Sequence, residues 1–147
     1  MKKPIFFDSW GWIAVADRKD SYHETAKPFY QEYLNDGGIP ITTDYILDEV
    51  LTVLRRRLTH QVAVKFGEGI FQAAKVQKLR FELIDNRRRD KAWELFKKYQ
   101  DKPDISFTDF TSFVVMSEFK LKEVFTDDNH FEKVDLGFKR VPFIAKS

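Results

Sequence analysis

Short runs of large apolar residues alternate along this chain with longer stretches whose apolar positions recur every three or four residues. The first pattern predicts buried strands and the second predicts helices with one face toward a core. Ile5-Phe6-Phe7 is a strand that stops abruptly at Asp8-Ser9, and a helix follows from Trp10 to near Asp17. After the polar connection Arg18-Lys19-Asp20, Ser21 is placed to cap a helix over 22–35, with Glu24 as its capping-box partner. Ala26, Phe29, Tyr30, Tyr33 and Leu34 form the apolar stripe of that helix, and Asp36-Gly37-Gly38 ends it. Ile39-Pro40-Ile41-Thr42 reads as a short strand with its proline at the start or on an edge.

The same alternation continues to the end. Thr43 or Asp44 opens a helix to about Leu58, and a second helix spans roughly 61–75. A strand is predicted over 79–84, then a charged helix from Asn86 to about Tyr99 with Ala92, Trp93, Leu95, Phe96 and Tyr99 available to the core. A loop at 101–104, a helix over 108–119, a strand over 123–126, a loop at 127–130 and a last strand within 137–144 complete the reading. Strands alternating with helices predict βαβ units, a mainly parallel sheet and helices on both of its faces.

Composition narrows the class without choosing a function. The 147 residues suit one domain, and 43% apolar with 33% charged residues is ordinary for a globular protein. Fifteen phenylalanines and three tryptophans are enough to fill a compact core. No cysteine is present, which removes disulfides and thiolate metal sites. No stretch approaches the roughly 18 apolar residues of a membrane span, and the two lysines near the N-terminus do not precede a secretory signal, so a cytoplasmic location is expected. A net charge of +2 does not by itself imply nucleic acid. The triplets Arg55-Arg56-Arg57 and Arg87-Arg88-Arg89 read either as solvated helix faces or as phosphate contacts.

The acids are more informative. Asp8 ends the first strand, where ligands gather in open α/β sheets, although an aspartate there also serves as a helix cap. Glu49 shares a helical face with Ile46, Val50 and Val53, so it is either ion-paired, marginal to the stripe or bound to a cation. Asp109 lies on the apolar face of Phe113 and Met116 in the first turn of its helix, where Ser106 makes it a capping-box partner as well. Val124-Phe125-Thr126 ends in Asp127-Asp128 and repeats the arrangement at Asp8. Four carboxylates at one sheet edge repel unless a hard divalent cation, Mg²⁺ or Mn²⁺, sits among them. Such a centre suits phosphodiester hydrolysis. There is no Walker motif, no G-x-G-x-x-G and no zinc spacing among His23, His60 and His130, which are read as structural.

On these residues the chain resembles the PIN domains, in particular the toxin-type PIN ribonucleases of the VapC group. The resemblance spans essentially the full length, 1–147, as a single domain. It is carried by Phe7-Asp8-Ser9, by Thr43-Asp44-Tyr45-Ile46-Leu47-Asp48-Glu49-Val50, by Ile105-Ser106-Phe107-Thr108-Asp109 and by Thr126-Asp127-Asp128-Asn129-His130-Phe131. It implies a three-layer α/β/α sandwich around a mainly parallel sheet and a Mg²⁺- or Mn²⁺-dependent endoribonuclease. The acidic quartet it implies is Asp8, Glu49, Asp109 and Asp128, with Asp8 and Asp109 as principal metal ligands. Ser9, Thr108 and Asp127 support the quartet, Asp127 standing where the family pattern is usually uncharged; Asp104 and Asp101 rank lower. Arg55, Arg56 and Arg57 are the weakest assignment, as contacts to RNA phosphates. The same resemblance implies a small antitoxin protein as partner and self-association as a homodimer.

Other readings of an acidic sheet edge fit less well. Receiver domains place two adjacent acids after the first strand, and haloacid-dehalogenase-like phosphatases need Asp-x-Asp there, whereas this chain has Asp8-Ser9-Trp10. A PIN fold serving in RNA processing without a toxin role, or binding RNA or protein without turnover, is the alternative function.

Overall fold

The computed structural model describes residues 4–142. The N-terminal lysines and positions 143–144 of the last expected strand lie outside them. Five strands form one sheet: β1 (Ile5–Phe7), β2 (Pro40–Thr43), β3 (Arg80–Glu82), β4 (Glu123–Phe125) and β5 (Lys139–Val141). Every pairing is parallel and the order is β3-β2-β1-β4-β5. The helices are α1 (Ser9–Ala16), α2 (His23–Asn35), α3 (Asp44–Arg57), α4 (His60–Lys75), α5 (Asn86–Lys98) and α6 (Phe107–Glu118), with a 3₁₀ turn at Asn129–Glu132.

This order decides where a site forms. From β1 the chain steps outward to β2 and β3, then returns across the sheet to β4 and β5. Right-handed crossovers in opposite directions put α1–α4 on one face and α5–α6 on the other, giving three layers. Strand order therefore reverses between β1 and β4, and the crevice at their carboxyl ends is the topological switch point. The Asp8 amide closes the gap there by donating to the Phe125 carbonyl at 3.4 Å.

Aromatic side chains fill the core as composition requires. Phe6, Phe7, Phe125, Phe113 and Phe131 are fully buried, each such ring stabilising the fold by about 2–3 kcal/mol relative to exposure. Phe7 packs against Phe125 at 4.6 Å between centroids, and Phe113 meets Phe131 edge-on at 5.0 Å. Gly11 lets α1 lie directly on β4: a Cβ there would sit 2.6 Å from the Phe125 ring and 2.7 Å from its carbonyl. Helix α6 is buried from Asp109 through Met116, the axis around which the second layer packs.

Several local expectations need correction. Ser21 does not cap α2; the helix begins at His23 with no side-chain cap, and the Asp20 carboxylate accepts from the Tyr22 amide instead. The stripe of α5 splits: Ala92 is buried, but Trp93 and Phe96 are 50% and 41% exposed. The Arg87–Arg89 triplet is structural at its centre, since Arg88 is buried between Glu82, Glu118 and the Leu83 carbonyl. Among the described residues no helix is long and apolar enough to cross a membrane.

Candidate active site

Both strands at the switch point end in acids, and α3 and α6 bring two more to the same place. Asp8, Ser9, Glu49, Asp109, Asp127 and Asp128 all line one open cavity of about 450 Å³, together with Asp104 and His130. Asp8 occupies the N-cap position of α1, yet its side chain makes no capping bond. Its Oδ2 accepts a hydrogen bond from the Thr126 hydroxyl at 2.9 Å, and Thr126 Oγ1 in turn accepts from the Asp128 amide at 3.0 Å. One threonine thus ties the carboxyl ends of β1 and β4 together. The capping reading of Asp8 fails on this geometry.

Asp109 combines its capping role with a place in the cavity wall. Ser106 and Asp109 form a reciprocal capping box, the amide of each accepted by the other's side chain at 3.2 and 3.0 Å. The same Asp109 Oδ2 lies 3.1 Å from His130 Nδ1, which is also 3.1 Å from Asp128 Oδ2. Candidate ligand atoms of Asp109, Asp128 and His130 all fall within 4.8 Å of one another. Glu49 reaches the cavity from the second turn of α3, half-buried, with the Ser9 hydroxyl as hydrogen-bond partner. It takes part in none of the ion pairs among the described residues, so of the alternatives open for it the ion-paired one is not met there.

Crowding and burial raise proton affinity across the site. Burial pushes the Asp8 carboxyl up to about 8, helped by the charges of Asp109 and Glu49 and opposed by the Thr126 hydroxyl and the Ser9 amide. Glu49 is raised by burial and by Asp109, Asp48 and Asp128, against the Ser9 hydroxyl. Asp109 is raised by burial and Asp128, against the Ser106 amide and His130. Three carboxyl groups holding protons above their ordinary range, with His130 the sole basic side chain lining the cavity among the described residues, form a donor set suited to a hard divalent ion.

The remaining candidates separate by position. Asp127 lines the cavity but its carboxylate is engaged elsewhere: it pairs with Arg140 at 3.4 Å and is a hydrogen-bond partner of the Tyr22 hydroxyl, and Arg140 also donates to its backbone carbonyl at 3.1 Å. Asp128, not Asp127, therefore faces Asp109 and His130. Thr108 does not line the cavity; its carbonyl accepts from Thr111 within α6. Arg55, Arg56 and Arg57 form the last turn of α3, six to eight residues and thus about 9–12 Å beyond Glu49 along the helix. Arg57 there pairs with Asp17 and Asp20. The structure does not bring the triplet to the acids. Reading from sequence also missed His130, taken as structural, whose signal was its place two residues after Asp128 in the Thr-x-Asp-x-His stretch.

Comparison with known proteins agrees with this fold. The PIN domain family model matches residues 5–137. The chain is 29% identical over 137 residues to the 23S rRNA-specific endonuclease VapC20 of Mycobacterium tuberculosis strain H37Rv, covering 93% of this chain and 97% of that protein. The VapC20 of strain CDC 1551 matches equally. Among solved structures, M. tuberculosis VapC20, described as a sarcin-ricin loop cleaving toxin, superposes with a TM-score of 0.77 at 26% identity, over 89% of this chain and 95% of that one. The DNA-bound VapBC complex of Salmonella typhimurium shares the fold, with a TM-score of 0.64 at 15% identity over 95% of this chain and 97% of that one.

Proposed function

Because this chain belongs to the PIN-domain family, we propose that it is a divalent-metal-dependent endoribonuclease, the toxin of a VapBC-type toxin–antitoxin pair. The observation that carries this reading is the convergence of Asp8, Glu49, Asp109 and Asp128 on one cavity at the switch point, three of them with raised proton affinity. Similarity over nearly the full length to a 23S rRNA-specific endonuclease makes 23S ribosomal RNA, and its sarcin-ricin loop first, the substrate of this reading. All four acids are present, which favours turnover over a binding module.

Asp8, Asp109 and Asp128 offer the oxygen donors that Mg²⁺ prefers, with Mn²⁺ as a substitute and Glu49 across the cavity. A divalent ion bound by these carboxylates would supply Lewis-acid chemistry, polarising the phosphoryl oxygens and lowering the cost of deprotonating an attacking water. The protein's own groups supply the geometry. Thr126 holds the Asp8 carboxylate and the Asp128 backbone in register. His130 links Asp109 to Asp128 and so sets the separation of two ligands. Glu49, oriented by the Ser9 hydroxyl and raised in proton affinity, is placed to accept the proton of the nucleophile at its carboxylate. A small antitoxin covering this cavity, and a homodimeric assembly in the cytoplasm, complete the proposal.

The test is cleavage of total RNA and of isolated 23S ribosomal RNA by the purified protein. Mg²⁺, Mn²⁺ and a chelator are compared, beside Asp8→Asn and Asp109→Asn. The reading expects metal-dependent cleavage by the wild type, reduced at least 100-fold in either variant. Equal cleavage by all three proteins would sink it.

A further inference from the structure

Helix α5 presents two large rings to solvent where its spacing predicts core. Trp93 and Phe96 stack with centroids 5.4 Å apart and planes 12° from parallel, and they are 50% and 41% exposed. Phe107, in the first turn of α6, supports them edge-on from behind, 6.3 Å from Trp93 and 5.9 Å from Phe96. Leaving a paired, rigidly buttressed aromatic surface in water forgoes apolar burial, and such a surface marks a contact site. Beside it lies a cavity of about 400 Å³, with Lys97 and Lys102 in its lining.

The position of this surface identifies its occupant. The segment 100–106 walls both cavities: Lys102, Pro103 and Ile105 face the aromatic side, while Asp104 and Ser106 face the acids. Phe107 follows Ser106 directly, and Asp109 is two residues on. The aromatic surface and the acidic centre are thus joined through a single helical turn. The protein's own lining of the acidic cavity offers a phosphate backbone no lysine or arginine among the described residues, so a substrate strand needs attraction from an adjoining surface. Among the described residues Lys97 and Lys102 pair with Glu94 and Asp101, acids that are 71% and 73% exposed. Exposed pairs of this kind contribute little and exchange readily for a phosphate. Flat rings flanked by lysines are the combination that holds unpaired nucleotides.

Resting on the ribonuclease reading above, we propose that Trp93 and Phe96 form the platform on which an unpaired nucleobase of the substrate RNA stacks, with Lys97 and Lys102 taking its adjoining phosphates. The platform selects looped over fully paired RNA and positions the scissile phosphate at the acids. Trp93 and Phe96 act as positioning residues.

The test compares wild type, Trp93→Ala and Trp93→Tyr on a labelled hairpin carrying the sarcin-ricin loop sequence and on the same RNA closed into a full duplex. Cleavage with Mg²⁺ gives KM and kcat, fluorescence anisotropy in chelator gives affinity, and light scattering gives the mass of each protein. We expect Trp93→Ala to raise KM and the dissociation constant for the hairpin at least about five-fold, with the loss chiefly in KM. Trp93→Tyr should restore most of it, and the preference for hairpin over duplex should shrink in the alanine variant. If the wild type cleaves the hairpin and Trp93→Ala matches it in KM and affinity, the platform falls while the ribonuclease reading stands. A change of oligomeric mass in Trp93→Ala with RNA affinity unaltered would overturn the platform in favour of a protein interface. If the wild type neither binds nor cleaves RNA, both fall together.

Discussion

Replacing Asp8 by asparagine tests the electrostatics of the site without relying on catalysis. Asp8 is only 3% exposed, and asparagine keeps an oxygen to accept the Thr126 hydroxyl, so the packing at the β1–β4 junction is retained. What changes is one ionisable group whose carboxyl is pushed up to about 8 in the folded protein, from an ordinary value of 3.8. With the folded value above the unfolded one, the unfolded chain holds fewer protons than the native state across this window. Stability therefore falls as pH rises from about 4 to about 8, by roughly 1.4 kcal/mol per pH unit for one proton. Between pH 6 and pH 8 the metal-free wild type loses roughly 2 kcal/mol through Asp8 that Asp8→Asn does not lose, the slope flattening as the folded carboxyl itself titrates near pH 8. At about 2–4 °C per kcal/mol for a chain of this size, the melting temperature of the variant should gain roughly 4–8 °C on the wild type over that interval. The assay is thermal unfolding by circular dichroism in chelator at pH 6, 7 and 8. Adding Mn²⁺ should reverse the order at pH 8, raising the wild type and leaving the variant nearly unmoved. Parallel pH profiles for the two proteins would refute the reasoning, because they would show that Asp8 is ionised in the folded state at no cost.

Two further substitutions probe how the fold supports the site. Arg88→Ala removes the buried cation joining β3, α5 and α6 and leaves Glu82, Glu118 and the Leu83 carbonyl without it. It should cost about 3–5 kcal/mol, seen as a lower denaturation midpoint. Burial opposes ionisation of both glutamates, but their arginine partners hold them below the ordinary range, so the wild-type advantage should begin to fall in that range and be lost as pH drops through their lowered values. Gly11→Ala drives a methyl group into the ring and carbonyl of Phe125. It should destabilise by roughly 1–3 kcal/mol and, by shifting α1 against β4, lower RNA cleavage measured well below the melting temperature; wild-type stability would contradict the close approach.

Much of this architecture was legible because local and global signals agree. Thr43 caps α3 as its position suggests, and Ser106 with Asp109 forms the capping box that their three-residue spacing predicts. Hydrophobic strands ending in carboxylate at Asp8 and after Phe125 mark neighbouring strands, since a parallel sheet delivers both ends to one edge. The errors are those where tertiary contacts override spacing. Ser21 has the right chemistry for a cap, but Asp20 captures the nearby amide. Trp93 and Phe96 have core periodicity, but α5 packs on α6 through a narrower stripe that includes buried Ala92. The Thr-x-Asp spacing ranks Asp128 ahead of Asp127, and the fold separates the two acids through Arg140, thirteen residues away on β5, and the Tyr22 hydroxyl, both of which engage Asp127. His130 carried no zinc-like spacing, because its partner Asp109 is distant in sequence and reached only through folding.

The claim that the acidic cavity is a metal centre is tested most directly by titrating Mn²⁺ into the chelator-treated protein in a calorimeter at pH 7, in two buffers of different ionisation heat. The account predicts saturable binding accompanied by proton release, since Asp8 holds a proton at that pH in the metal-free protein. Binding and proton release should both be lost in Asp8→Asn. Absence of saturable binding by the folded wild type, or equal binding and equal proton release in the variant, would contradict it.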